Sequence, residues 1–182
     1  DRAAFAITTS KMEHGTIIAT VDGEAVDDLS KIPGGSKVEL QARADRGWHF
    51  KNWVVNGTAQ DEAAAKTNGT YTISELAGNL SISAEFAQSA SYTAKATAKY
   101  TLYDIYGKEV ETKAMPTDGI TIYKDEEITF HAAPKTGYQV EQWEVNGKKT
   151  AGNSKTNPEG KIRADKNITA TVYFKVTASY QL

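Results

Sequence analysis

The sequence repeats itself with a period of about 90 residues. Residues 35–57, GSKVELQARADRGWHFKNWVVNG, match residues 125–147, DEEITFHAAPKTGYQVEQWEVNG, at a constant offset of 90. The stretch NLSISAEF at 79–86 matches NITATVYF at 167–174 at an offset of 88. Repetition at a fixed period indicates tandem structural units. We therefore predict two homologous modules, residues 1–88 and 91–182, with a small polar joint at 87–90.

Polar and apolar residues alternate through much of each module. Residues 37–44, KVELQARA, switch at every step, and both copies of the terminal stretch keep the same alternation. A period of two is typical of a β-strand with one buried face. Asn56-Gly57 and Asn146-Gly147 follow two predicted strands with the dipeptide that favours tight hairpins. Only residues 61–66, DEAAAK, look helical, and we interpret them as a loop decoration.

Matched apolar residues predict the core of each module. Trp53 and Trp143 occupy equivalent positions among apolar neighbours, and large aromatic side chains dominate small cores. We expect both tryptophans to be largely buried. The same expectation holds for four further matched residues, which are Leu40, Phe130, Phe86 and Phe174.

The composition limits the chemistry that is open to the chain. It has no cysteine, which excludes disulfides, thiolate metal sites and cysteine nucleophiles. The net charge is −2 and no apolar run is long enough to span a bilayer, so we expect neither nucleic-acid binding nor membrane insertion. The three histidines are scattered, and calcium-loop, phosphate-loop and nucleophile motifs do not occur. We therefore predict no catalytic residue, no cofactor and no metal.

The order of these motifs resembles a known bacterial family. Each half contains a glycine followed by an aromatic residue, a tryptophan and Asn-Gly, as in GWHFKNWVVNG and GYQVEQWEVNG, and then ends on NLSISAEF or NITATVYF. This pattern is similar to the internalin B-repeat and its divergent relatives, although Trp48 stands where tyrosine is more usual. The resemblance implies a mainly β fold of two tandem β-grasp-like modules, each a small mixed sheet with little or no helix.

The same resemblance favours a non-catalytic stalk or spacer that also serves adhesion. It implies an extracellular location, either secreted or anchored in the cell wall, and the lack of cysteine fits a Gram-positive bacterium. The partner would be a host surface protein, a glycan or a wall polymer, and we expect a monomer. The alternative is a carbohydrate-binding accessory module of a large secreted enzyme. The sequence opens on Asp1-Arg2 without the pattern of a signal peptide, and we expect it to be a fragment of a longer protein.

Two kinds of side chain are candidates for ligand contact. Trp48 and Tyr138 follow matched glycines and could present a ring to a sugar, whereas Trp53 and Trp143 are better explained as core residues. Residues 91–182 hold 13 Lys+Arg and 11 Asp+Glu, against 8 and 12 in residues 1–90. The excess lies before the last strand, in Lys148, Lys149, Lys155, Lys161, Arg163 and Lys166. We predict that ligand contacts are made by Trp48, Tyr138, Lys148, Lys149, Lys161 and Arg163; the competing interpretation of the cations is a solvated loop.

Overall fold

The computed structural model describes residues 2–60 and 69–178. The chain divides into two compact units, Asp1–Ser89 and Ala90–Leu182, which are called module 1 and module 2 below. Every regular element in the described ranges is a β-strand, which confirms the mainly β prediction. The helical turn predicted at 61–66 lies outside the described residues.

Module 1 encloses its core between two sheets. Its described strands are β1 (Ala4–Phe5), β2 (Ile7–Thr9), β3 (Gly15–Val21), β4 (Glu24–Val26), β5 (Ile32–Pro33), β6 (Val38–Ala44), β7 (Trp48–Val55), β8 (Thr58–Ala59), β9 (Thr70–Ile73) and β10 (Leu80–Gln88). One sheet is antiparallel with the order β4-β3-β6-β9. The other is mixed with the order β2-β10-β7-β8, because β2 runs parallel to β10. A short pair, β1 and β5, lies apart from both.

Module 2 repeats this arrangement. Its described strands are β11 (Ser91–Ala96), β12 (Lys99–Tyr103), β13 (Glu109–Ala114), β14 (Ile120–Tyr123), β15 (Glu127–His131), β16 (Tyr138–Val145), β17 (Lys148–Ala151), β18 (Ile162–Arg163) and β19 (Ile168–Val176). The antiparallel sheet has the order β13-β12-β15-β18. The mixed sheet has the order β14-β11-β19-β16-β17, with β11 parallel to β19. The mixed sheet that the family resemblance implies is thus present in each module, and a second sheet faces it.

An asparagine ties the two ends of each module together. The Oδ1 atom of Asn79 accepts a hydrogen bond from the backbone N–H of Ala6 at 2.9 Å. In module 2, Asn167 Oδ1 accepts from the N–H of Thr93, also at 2.9 Å. Each asparagine stands directly before the last strand and holds the segment that pairs with it. The repeated N-apolar-[ST] motif therefore has a structural role.

The Asn-Gly dipeptides form the hairpins that connect β7 to β8 and β16 to β17. Asn56 and Asn146 both have a φ of 49°, in the left-handed region that this type of turn requires. Their side chains also contact the last strand. Asn56 Oδ1 accepts a hydrogen bond from Ser81 N at 3.0 Å, and Asn146 Oδ1 accepts from Thr169 N at 2.8 Å. One residue type thus makes the turn and fixes its position against the neighbouring strand.

The core predicted from matched residues is largely confirmed. Trp53 is 0% exposed and Trp143 is 1% exposed, and Leu40 and Phe130 are fully buried. Leu40 lies on β6 of the antiparallel sheet and Trp53 on β7 of the mixed sheet, yet both belong to one cluster. Phe130 and Trp143 share the corresponding cluster of module 2. The core therefore lies between the two sheets of each module.

The prediction is wrong for the last matched phenylalanine. Phe86 is half-buried against the core of module 1, whereas Phe174 is 40% exposed. Strand β6 continues to Ala44, but β15 stops at His131. Pro134 occupies the position that matches Ala44, and proline has no N–H to extend a ladder. The antiparallel sheet of module 2 is consequently too short to cover Phe174.

Candidate functional site

The two candidate rings begin equivalent strands but have different surroundings. Trp48 opens β7 and is half-buried. Its ring stacks on that of His14, with the ring centroids 3.5 Å apart and an angle of 4° between the ring planes. Tyr138 opens β16 and is 49% exposed. Since stacking on a ligand requires a free face, Tyr138 is the better placed of the two, and His14 already occupies one face of Trp48.

Tyr138 lies in an exposed apolar patch at one end of the mixed sheet of module 2. It is opposite Val176 in the ladder, and Val140 is opposite Phe174. Alternate residues of a strand share a face, so Tyr138, Phe174 and Val176 continue the core face that buried Val140 lines. Phe174 is 40% exposed and Val176 is 68% exposed. These three residues, Tyr138, Phe174 and Val176, are called the end patch below.

The structure divides the four basic residues predicted as ligand contacts between two sheet edges. Lys148 and Lys149 are exposed on β17, at the edge of the mixed sheet. Because they are consecutive in a strand, their side chains point to opposite faces. Lys161 and Arg163 flank Ile162 at β18, the edge strand of the antiparallel sheet. The cations therefore form two separate pairs instead of one continuous cluster.

The second of these pairs is engaged within module 2. Lys161 Nζ lies 4.0 Å from the centroid of the Tyr103 ring. Arg163 Nε lies 3.3 Å from Asp125 Oδ1, and the side chains of this ion pair are 71% and 50% exposed. Such an exposed pair contributes little to stability. An anionic ligand at β18 would compete with both contacts, whereas the lysines of β17 extend from an open edge.

A polar network covers the outer face of the antiparallel sheet of module 2. The alternation predicts that His49 and His131 face solvent. His49 is exposed, whereas His131 is half-buried. His131 Nε2 lies 3.0 Å from Thr101 Oγ1 and 3.3 Å from Thr129 Oγ1. Thr101 Oγ1 is also 2.9 Å from Thr112 Oγ1. Cross-strand hydroxyl contacts of this kind stabilise a sheet. Within the described residues, no carboxylate is hydrogen-bonded to His131, so nothing there orients its ring as a general base.

Two buried polar side chains that the sequence did not single out support loops of module 2. Glu126 is 1% exposed, and its Oε1 accepts a hydrogen bond from Tyr123 N at 2.7 Å. This carboxylate closes the turn that precedes β15. Asn157 Oδ1 accepts from Phe130 N at 2.7 Å, and its Nδ2 donates to Gly160 O at 2.9 Å. Both side chains satisfy buried backbone groups.

One open groove of module 1 offers little for chemistry. An open groove of about 510 Å³ on module 1 has Ile18 and the carboxylates of Asp27 and Glu39 among its lining residues. Glu39 is engaged by Lys37 at 2.9 Å. Among residues 2–60 and 69–178, no group of three or more His, Asp or Glu side chains could hold a metal ion. The described part of the chain also contains no helix with the length and apolar character needed to cross a membrane.

Comparison with known proteins gives one family and a few remote structures. The family model described as the divergent InlB B-repeat domain matches residues 5–90 and 117–178. The open conformation of the pilus adhesin SpaC from Lactobacillus rhamnosus GG matches with a TM-score of 0.37 and 11% identity, over 99% of this chain and 32% of that one. The C-terminal fragment of the same adhesin matches with a TM-score of 0.30 and 15% identity over 100% of both chains. This chain thus spans about a third of the open adhesin structure, at 32%, and no curated protein matches it.

Proposed function

Because the chain belongs to the divergent InlB B-repeat family, we propose that it is a non-catalytic tandem spacer of a bacterial surface protein. It would stand outside the cell, secreted or attached to the wall of a Gram-positive bacterium, and separate a functional region from its anchor. Repeated units lengthen a protein through nearest-neighbour contacts alone. The lack of cysteine means that such a spacer depends on its packed cores and strand ladders for strength.

The observation that carries this proposal is the pairing of the terminal strands. In module 1, Ile7–Thr9 runs parallel to residues 80–82 of β10, and in module 2, residues 94–96 run parallel to residues 168–170. When a module is pulled by its two ends, parallel neighbours slide past each other. All hydrogen bonds of the pair are then loaded together in shear, instead of opening one after another. This geometry suits a module that carries load along the chain.

Single-molecule pulling on the two ends of the chain tests this role. We expect two separate unfolding events, each releasing roughly 300 Å, because a module of about 90 residues extends by about 3.4 Å per residue. Asn167→Ala should lower the force of one event only, since Asn167 holds the first strand of module 2. Asn153→Ala, at an exposed position, should leave both events unchanged. Gradual lengthening without discrete events would contradict a load-bearing role.

A second candidate function is adhesion through module 2, the role for which Trp48, Tyr138, Lys148, Lys149, Lys161 and Arg163 are proposed as contacts. The open ring of Tyr138 favours it, and so do the exposed lysines of β17. The ligand would be a host surface protein, a glycan or an anionic wall polymer, and the same contacts would serve an accessory module of a secreted enzyme.

The test of adhesion is a glycan array together with heparin–agarose, using the full chain. Binding should fall in Tyr138→Ala or in Lys148→Glu with Lys149→Glu. Any binding through the lysines should also weaken with salt, because exposed charges are screened over about 8–10 Å at physiological ionic strength. Thr136→Ala, an exposed polar change near Tyr138, serves as the control. If the parent and all variants pass through the column equally at low salt, adhesion through these residues is contradicted and only the spacer function remains.

A further inference from the structure

The end patch of module 2 has a counterpart in module 1 that is covered. There the equivalent rings are Trp48 and Phe86, since Trp48 matches Tyr138 and Phe86 matches Phe174, and the exposed polar residue Gln88 stands in place of Val176. The ring of His14 lies on Trp48. A Cβ added to Gly15 would overlap the ring of Phe86, so the backbone of Gly15 lies directly against it. The end of the core in module 1 is therefore closed by its own chain.

The covering segment of module 1 is missing from module 2. Five residues, 10–14, connect β2 to β3, and β3 then pairs with β6 over seven positions. In module 2 only Thr97 and Ala98 connect β11 to β12, and the pairing of β12 with β15 covers five positions. The short connection cannot reach over Tyr138, Phe174 and Val176. Module 2 consequently leaves exposed an apolar surface that the same fold closes in module 1.

The chain leaves module 2 directly beside this surface. Thr177 N donates a hydrogen bond to Gly137 O at 2.9 Å, next to Tyr138. The exit from module 1 has the same geometry, because Ser89 N donates to Gly47 O at 2.9 Å. Whatever follows Thr177 therefore starts within reach of the end patch.

The first three residues that follow repeat the start of module 2. Ala90-Ser91-Tyr92 stands at the entry to β11, and Tyr92 packs against the core. The sequence 178–180 is again Ala-Ser-Tyr, at the offset of 88 that relates the last strands of the two modules. A further copy of the module would therefore begin at Ala178.

We propose that the end patch is the docking surface of a third module of this family, which begins at Ala178 and extends past Leu182. Packing such a module on Tyr138, Phe174 and Val176 would remove apolar surface from water, which favours a fixed joint. The inference rests on the proposed spacer function. It adds that module 2 and the third module are in direct contact, because module 2 has no loop that covers its own end patch.

A grafted third module and a single thiol test this surface. Residues 90–182 are appended after Thr177, which preserves the native sequence through Tyr180. The chain has no cysteine, so Val176→Cys in the middle module introduces one thiol. We expect this thiol to react with a maleimide at least about tenfold more slowly than in the 182-residue chain, because it reacts only when the joint opens. Pulling should show three unfolding events, which verifies that the graft has folded.

Two matched thiols serve as controls. Val176→Cys placed instead in the last module should stay fast, since nothing follows that module. Val110→Cys, on the 41% exposed site of β13, should react at the same rate in the two-module and three-module chains. Equal rates for the middle and last Val176→Cys would overturn the proposal and leave a spacer with open joints. A slow thiol in the two-module chain that sediments as a dimer would overturn it in favour of a second copy of this chain.

Discussion

At the scale of single residues, the matched asparagines of the two modules have the same structural task. Asn79 and Asn167 hold the first strand of their modules, and Asn56 and Asn146 hold the last. Three of these asparagines also stand in N-x-[ST] sequences. Their side-chain oxygens are engaged with backbone N–H groups, so the turn and strand geometry explains the motif without glycosylation.

Removing one of these asparagines should weaken only its own module. Asn167→Ala leaves Thr93 N–H without its side-chain acceptor, and we expect a loss of about 0.5–1.5 kcal/mol, the usual net worth of such a bond. Asn167→Asp keeps an acceptor oxygen and should recover most of the loss. Denaturant unfolding followed by circular dichroism measures both, with Asn153→Ala as the neutral control. No difference between Asn167→Ala and the control would mean that solvent replaces this contact fully.

Trp143 offers a graded test of the core. Trp143→Ala should lower the free energy of unfolding by about 3–5 kcal/mol, the usual range for deleting a large buried aromatic side chain. Trp143→Phe keeps most of the apolar contact but loses the hydrogen bond from Nε1 to Ser154 O at 2.9 Å. The free energy of unfolding of Trp143→Phe should therefore fall by about 1–2 kcal/mol. Denaturant unfolding distinguishes these values, and an Ala variant as stable as the parent would place Trp143 outside the core.

At the scale of strands, the alternation predicts which residues share a face but not which strands are neighbours. The alternation over residues 37–44 predicts a strand, and Leu40 is buried as expected. The pattern does not reveal that β6 lies between β3 and β9 in a second sheet, because ladder partners are distant in sequence. His131 lies on its predicted face but is half-buried. Thr101 on the neighbouring strand β12 and Thr129 on the same strand both contact its ring.

Strand β17 is an exposed sheet edge, and we expect its lysines to protect that edge without any ligand. An open edge presents unpaired backbone groups to other chains, and charged side chains discourage such pairing. We expect Lys148→Val with Lys149→Val to increase self-association, because valine favours extended pairing. Analytical ultracentrifugation over a range of concentrations measures this. Lys155→Val with Lys166→Val, off the edge strand and exposed, is the matched control, and equal association of both double variants would contradict a protective role.

At the scale of the whole molecule, the repeat in the sequence is the source of most of what could be predicted. It places Trp53 and Trp143 in equivalent cores because their surroundings repeat with them. The end patch could not be predicted, because matching sequences suggest matching environments. Its exposure depends on the length of the connection before β12 and on the early stop of β15. Such differences become visible only when the ladder registers of the two modules are known.

The repeat also predicts that each module folds by itself, and this stays a prediction for the boundaries 1–88 and 91–182. The two clusters of buried residues support it, because each draws all its members from one module. A unit of about 90 residues is large enough to fold alone, although a small domain buries a modest share of its surface. The parallel pairing of first and last strands favours it too, because it closes each unit on itself.

Expressed separately, residues 1–89 and 90–182 should each give a dispersed amide NMR spectrum and a single cooperative unfolding transition. In the intact chain, Trp143→Ala should then shift the transition of module 2 and leave that of module 1 unchanged, because the substituted side chain belongs to the core cluster of module 2. The spectrum of module 1 in that variant provides the internal control. Two undispersed spectra would show that neither core suffices alone. A joint shift of both transitions in the Trp143→Ala chain would show that the modules unfold as one body, which the two-event pulling experiment would detect independently.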